Sequence, residues 1–363
     1  MVADAIDFAD VRRVLVTKLR HHGDVLLASP VLSALAAHAP GIEIDALVYS
    51  ETAPMLENHP ALTNLYTIDR SWKRQGVFQQ AKQEWALLRT LRQRRYDLLV
   101  HLTEHPRGAW LRRALRTRYG VAPKRAGASR FWSHSFTHFY ALPRGTRRHT
   151  VELNLDALRR VGLHPQDDAK RLQLVPGAEA EARIDALLAA HQLEAGGFVQ
   201  LHPGSRWLFK CWPAPRVAEL IDRLAAEGER LVLTGAPDPR EAAMIADIVG
   251  RTRARPDDLS GQLSLLELAA LTARAKAFIG VDSAPMHIAA AMGVPAVALF
   301  GPSGETEWSP WMVSHRIVAS TVHPCRPCGN DGCGGSKVSD CLTTLPVSDV
   351  HAALRALVPA PAQ

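Results

Sequence analysis

Residues 276–304 read KAFIGVDSAPMHIAAAMGVPAVALFGPSG, and this stretch decides the fold. KAFIGV is a short apolar run, DSAP is a turn, MHIAAAMG has helical composition and ends on glycine, and VPAVALF is a second apolar run before the loop GPSG. Strand, loop, helix, strand at this spacing implies a right-handed crossover and a parallel sheet. Pro285 suits the first turn of the helix. The turn before it therefore leaves backbone N–H groups at the carboxyl end of a buried strand.

Working outward, the same grammar repeats. GGFVQLHPGS (196–205) and ERLVLTGAPD (229–238) read as strands running into loops, and APRVAELIDRLAAEG (214–228), PREAAMIADIVG (239–250) and LLELAALTARA (265–275) read as helices. The first half agrees. VRRVLVTKL (11–19), IEIDALVY (42–49) and YDLLVHL (96–102) are strand-like, VLLASPVLSALAAHA (25–39) is helical with Gly41 in the C-terminal glycine position, ETAPMLENH (51–59) is a short helix, and a basic helix spans 79–95. The expectation is an α/β protein with two Rossmann-like, doubly wound parallel-sheet domains, residues 1–165 and 176–345. A polar, proline-bearing linker lies within 162–177, and a final helix over 346–363 can pack back on the N-terminal domain.

A chain of 363 residues, 47% apolar and 22% charged, suits two soluble domains. No apolar run approaches the roughly 20 residues of a membrane span. The start, MVADAIDFADVRR, has acids before its first apolar run and no basic n-region, which makes the cytoplasm the expected compartment. The net charge of +7 is uneven: residues 70–148 hold 19 Lys or Arg against three acids, Glu84, Asp97 and Glu104. Such a bias suits an anionic partner, whether nucleic acid, an acidic membrane surface or a phosphorylated small molecule, or else a solvated arginine-rich surface.

Ligands of open parallel sheets bind at the carboxyl ends of strands, beside helix N-termini. Asp24, Ser205, Gly235, Asp282 and Gly301 fall at such ends, and two sheets facing one another would bring them to a common cleft. In the 280–303 segment, the first-turn N–H groups near Ala284, the Ser283 hydroxyl and the His287 ring can meet a diphosphate, while Asp282 or Ser283 can equally be a plain N-cap. LHPGSRWLFKCWP (201–213) offers the Ser205 hydroxyl and the Lys210 cation between aromatic residues; LTGAPDPRE (233–241) offers Gly235 for close approach and Glu241 for ribose hydroxyls. Neither GxGxxG nor GxxxxGK[ST] occurs, which opposes a dinucleotide fingerprint and a P-loop. Cys325, Cys328, Cys333 and Cys341 fall within seventeen residues and can either hold a structural zinc or remain thiols.

The segments TKLRHHGDVLLASPVLSAL, LHPGSRWLFKCWP, LTGAPD, GVDSAPMHIAAAMGVPAVALFGPSG and HPCRPCGNDGCGGSKVSDCL together resemble the ADP-heptose:lipopolysaccharide heptosyltransferases, most of all the branch that adds the third, branching heptose of the inner core. The resemblance runs from residue 11 to about residue 350. It implies the GT-B fold, an ADP-heptose donor, a lipopolysaccharide inner-core acceptor, and inverting transfer without a catalytic metal or other cofactor. It also implies Asp24 as the catalytic carboxylate, Lys210 on the donor phosphates, and Asp282, Ser283 and His287 around the diphosphate and sugar. Ala284 stands where many relatives have glycine.

Inverting transfer needs a base on the acceptor side and positive groups on the leaving side. Asp24 meets the first need; its structural alternative is a helix N-cap. His21 and His22 point in different directions, and either can reach the acceptor. Arg107, in EHPRGAW, and Arg130, in RAGASRFW, are candidates for acceptor phosphates by their bidentate fork. Peripheral contact with the anionic cytoplasmic face of the inner membrane fits the basic middle. A different donor sugar or core position is the competing reading within this chemistry. A basic nucleic-acid-binding protein is the competing reading outside it, although no recognition helix or RNP-like strand is visible, so nucleic acid is not the expected partner.

Overall fold

The structure, a computed structural model, describes residues 4–142 and 148–361, so that Arg144 and Arg147 of the basic stretch lie outside the described residues. It divides into two units, Met1–Val175 and Pro176–Gln363.

The first unit runs β1 (Arg13–Thr17), α1 (His22–Leu26), α2 (Ser29–His38), β2 (Glu43–Tyr49), β3 (Asn64–Ile68), α3 (Val77–Arg94), β4 (Leu98–His101), α4 (Arg107–Leu115), β5 (Tyr119–Pro123), α5 (Arg130–Ser133), β6 (His138–Tyr140) and α6 (Thr150–Arg160). The strands form one parallel sheet in the order β3-β2-β1-β4-β5-β6. Val14 pairs with Ile44 on one side and Leu98 on the other, and all three are fully buried. Burial of both faces is why these central strands are mainly apolar, with Thr17, Asp45 and His101 as their buried polar residues.

Several sequence expectations shift. The helix expected over 25–39 starts at His22 and is cut in two at Leu27 and Ala28, because Pro30, in the first turn of α2, has no N–H to continue the ladder. In place of the helix expected over 51–59 there is a 3₁₀ turn, Ser50–Met55, with Pro54 inside it. Gly41, at φ +89°, turns the chain into β2 rather than capping α2, whose C-cap is Ala39. The domain boundary also lies later than 165: Leu172 and Leu174 are buried, and Gln173 N–H donates to Ser29 Oγ at 3.0 Å.

The second unit runs α7 (Ala178–Ala190), β7 (Phe198–His202), α8 (Ala214–Ala226), β8 (Arg230–Leu233), α9 (Pro239–Arg251), β9 (Asp257–Asp258), α10 (Leu265–Ala273), β10 (Ala277–Val281), α11 (Ala284–Ala291), β11 (Ala296–Phe300), α12 (Glu305–Trp308), β12 (His315–Ala319), α13 (Asp340–Thr343) and α14 (Val347–Arg355). Its parallel sheet is ordered β12-β11-β10-β7-β8-β9, the first unit's arrangement read from the other edge. Both are the doubly wound nucleotide-binding order, whose winding reverses between the first and fourth strands. The reversal falls between β1 and β4 in one unit and between β7 and β10 in the other.

The final helix, α14, packs on its own unit. Val347, Val350 and Leu354 of α14 are buried in the core of the C-terminal unit with residues of α8 and β11, and Arg355 closes the contact on Glu227 and Glu229 at 2.6 Å each. An amphipathic stripe at helical spacing buries against the nearest open face, here its own sheet.

Candidate active site

Loops at a winding reversal splay apart and leave a crevice beyond the strand ends. In the first unit these are the loops after β1 and β4. Lys18, the first residue past β1, is buried, with Nζ donating to Asn154 Oδ1 at 2.9 Å and Leu102 O at 3.3 Å. Asn154 in turn donates to Leu27 O at 2.9 Å. The turn between β1 and α2 is thus pinned from beneath by α6 and the end of β4. Burial pushes the Lys18 ammonium down to about 8, partly opposed by the nearby Asp24 carboxylate.

Asp24 is not an N-cap. α1 takes His21 as its cap residue, and Asp24 lies in the first turn with its side chain 15% exposed and one oxygen 3.7 Å from Arg20 Nε. A carboxylate in that position is available from solvent and sits between the cations Lys18 and Arg20. His22 binds the Glu51 carbonyl through Nε2 at 2.8 Å, which commits that nitrogen to the loop after β2; His21 and His22 are both half-buried.

Arg107 is placed where the sequence put it, at the start of α4, yet its fork is occupied. Both terminal nitrogens bind Glu84 of α3, at 2.5 and 2.7 Å. It ties two helices together, so its fork is engaged with a carboxylate in this structure rather than open toward an acceptor. Arg130, the first residue of α5, is exposed. Other cations at this edge escaped the sequence reading. Partial burial, then the charges of Arg107, Lys73 and Arg125, hold the His105 ring below the usual imidazole range. Those charges therefore gather around the loop after β4. Arg70 stacks 3.9 Å from the Tyr49 ring centroid and pairs with Glu51 at 3.1 Å. The only sequence signal for this cluster was the basic excess of residues 70–148.

In the second unit, the loops after β7 and β10 meet directly. Lys210 Nζ lies 2.5 Å from Asp282 Oδ2, with the side chains 23% and 7% exposed. Asp282 is the better shielded partner, and its carboxylate holds Lys210 beside the start of α11. No side chain caps α11: Ser283 is in the N-cap position but its hydroxyl donates back to Val281 O at 3.2 Å. The N–H groups of a first turn, Ala284 included, are the natural seat of an anion. His287 is buried one turn further on, with its ring 6.4 Å from that of Trp308.

Ser205, Gly235 and Glu241 lie in or just after the loops at neighbouring strand ends, each engaged by its own neighbours. Ser205 Oγ accepts from Trp207 N–H at 3.3 Å. Glu241 is buried; its Oε2 accepts from Ala236 N–H at 3.0 Å and lies 3.9 Å from His202 Nε2. A Cβ at Gly204 would come 2.3 Å from that same oxygen, so the glycine is needed for the carboxylate to sit between the loops. At Gly235 a Cβ would meet Ser260 and Ile245 at 3.3 and 3.4 Å, a packing constraint. Desolvation raises the Glu241 pKa. Glu241 braces two loops in this structure.

Among the described residues no three His, Cys, Asp or Glu side chains converge to hold a metal ion. Cys325, Cys328 and Cys333 are exposed thiols and Cys341 is buried in α13. The segment is held instead by Arg326, which donates to Gly301 O at 2.7 Å and Ser320 O at 3.0 Å and pairs with Glu305 at 3.1 Å.

Comparison with known proteins bears on the fold and the family. Residues 84–338 match glycosyltransferase family 9 (heptosyltransferase). Lipopolysaccharide heptosyltransferase 3 of Escherichia coli K12 is 33% identical over 345 residues, covering 94% of this chain and 96% of the relative. The glycosyl transferase family 9 structure from Veillonella parvula superposes with TM-score 0.83 at 23% identity over 98% of this chain and 99% of that one. An E. coli heptosyltransferase, WaaC, solved with ADP-2-deoxy-2-fluoro heptose gives 0.70 at 20% over 95% and 99%. The two Rossmann-like units are those of the GT-B fold. A family match across most of the chain and a relative this similar over nearly its whole length make the conclusion plain: the chain belongs to glycosyltransferase family 9, the heptosyltransferases.

Proposed function

We propose that the enzyme moves heptose from ADP-heptose to a heptose of the lipopolysaccharide inner core, at the third, branching position, with inversion at the anomeric carbon. The carrying observation is the Lys210–Asp282 pair at 2.5 Å beside the uncapped start of α11. A cation held by a shielded carboxylate, next to free first-turn N–H groups, is an arrangement for a leaving diphosphate. The donor class is supported by the solved relative that carries an ADP-heptose analogue, and the acceptor by the name of the 33% identical relative.

In this reading the N-terminal unit carries the acceptor and the C-terminal unit the donor. Asp24 takes the proton of the attacking hydroxyl as the new C–O bond forms on one face of the anomeric carbon. The bond from that carbon to the diphosphate breaks on the other face, and the charge gathering on the phosphate is met by Lys210 and the first turn of α11. No step is assigned to a metal. Lys73, Arg125 and Arg130 are the acceptor-side cations, and the protein works at the cytoplasmic face of the inner membrane.

The deciding assay measures ADP release from ADP-heptose with and without a two-heptose core acceptor. Acceptor-dependent release with a mass gain of one heptose is the expected result. No release, with ADP binding intact, would leave the nucleotide site standing and refute the assigned donor sugar or acceptor.

A further inference from the structure

Helix α3 presents a face that the fold does not cover. Phe78, Lys82, Trp85, Arg89 and Arg92 follow one another at alternating spacings of four and three, so they share one side of the helix, and all five are exposed. Phe78 is 94% and Trp85 62% exposed, and Trp110 of the adjacent α4 is 65% exposed. Between Trp85 and Trp110 opens an apolar groove of about 340 Å³ whose floor includes Leu88, Leu91 and Leu111. Contiguous aromatic surface of this kind marks an interaction site, since burial of each ring would otherwise stabilise the fold.

The helix is held firmly from its other sides. Leu91 is fully buried, Arg94 binds Asp45 at 2.8 Å and Glu43 at 2.5 Å, and Glu84 is clamped by Arg107. The outward orientation of the aromatic stripe is therefore built into the unit. Its charge is one-sided. Residues 70–95 contain a single acid, Glu84, and that acid is neutralised by Arg107. Arg70 and Arg94 are spent on Glu51, Glu43 and Asp45. Lys82, Arg89 and Arg92 remain on the stripe, with the Arg89 guanidinium 5.6 Å from the Trp85 ring.

We infer that the α3–α4 face docks the protein on an anionic phospholipid surface. Phe78, Trp85 and Trp110 enter the boundary between headgroups and acyl chains, while Lys82, Arg89 and Arg92 meet lipid phosphates. Aromatic rings interleaved with cations on one helical face match that boundary, where apolar burial and negative charge occur within one helix radius. A second copy of the chain would set these cations against themselves. Nucleic acid would leave the Phe78 ring and the apolar groove without a counterpart. The inference refines where the proposed enzyme meets the membrane, and it is tested without the transfer reaction.

The full-length protein is sedimented with vesicles of phosphatidylcholine alone or mixed with phosphatidylglycerol. Binding is expected only with phosphatidylglycerol, weakening with salt. The Lys82→Gln/Arg89→Gln/Arg92→Gln variant should lose on the order of a hundredfold in partitioning, from roughly fivefold per surface cation. Phe78→Ser/Trp85→Ser should lose about tenfold or more; these residues are exposed, so both variants should fold. Absence of binding, binding indifferent to both variants, or a dimer in sedimentation equilibrium that Phe78→Ser/Trp85→Ser dissolves would each overturn the inference. Transfer to a water-soluble heptose acceptor, assayed in parallel, separates the two readings: wild-type protein that transfers but ignores vesicles overturns this inference alone.

Discussion

Lys18 offers a prediction in which the energetics can be separated from the chemistry. Its ammonium is buried behind β1, and its native pKa is pushed down to about 8 from 10.5. Below the native value both folded and unfolded chains hold the proton, and the cost of burying the charge is fully present. Between the two values the unfolded chain binds a proton that the folded chain has released, so this group makes stability rise with pH. A shift of this size corresponds to about 3 kcal/mol, gained from about pH 8 to pH 10.5. Lys18→Met removes the window. It also removes the bonds to Asn154 Oδ1 and Leu102 O, a loss that does not vary with pH. Urea unfolding of both proteins from about pH 7 to 10.5 should therefore show wild type minus variant rising by about 3 kcal/mol. Tyrosines and thiols titrate in both chains and cancel in the difference. A difference constant to within about 1 kcal/mol would refute the reasoning, because Lys18 would then titrate in the folded protein as it does in water.

Asp24→Ala should reduce transfer by roughly a thousandfold or more while calorimetric ADP affinity stays within about twofold, as expected of a base that faces the acceptor; a large loss of ADP affinity would remove Asp24 from that role. Lys210→Ala should weaken ADP binding by about tenfold or more as well as slowing transfer, and unchanged ADP affinity would count against the Lys210–Asp282 reading. Arg107→Gln should lower stability by about 1–3 kcal/mol, since it strands a half-shielded Glu84, and leave the acceptor KM unchanged. A raised KM in a variant of undiminished stability would return Arg107 to the acceptor. Native thiol titration should find Cys325, Cys328 and Cys333 fast, and Cys211, whose burial pushes its thiol up to about 12, slow; slow reaction of the exposed three that a chelator accelerates would revive the metal site.

The strands that carry the site were legible because burial on both faces leaves a local signature. β1, β4, β7, β10 and β11 are mainly apolar, with Arg13, Thr17, His101, Gln200 and His202 as their polar positions, and the chemistry-bearing residues lie in the loops that follow them. Hence Asp24, Lys210 and Asp282 could be placed at strand ends from order alone. The outer strands were not legible. β3 is half-buried for most of its length, β6 has three residues, β9 has two, and β12 buries only Val318, so none carries an apolar run or a clean alternation.

What the sequence determined by itself was the crossover pattern, the two-unit α/β class, the family resemblance and the loops that hold the candidate site. Hydrophobic period and turn chemistry act between neighbours in the chain, so they can be read there. Only the tertiary structure decided what each charge does. Arg107 meets Glu84 from 23 residues away, Lys210 meets Asp282 from 72, and Lys18 is buried against Asn154 from 136. Whether a cation waits for a ligand, braces a helix or has lost its water depends on distances of a few ångströms. Those distances are set by how the elements pack.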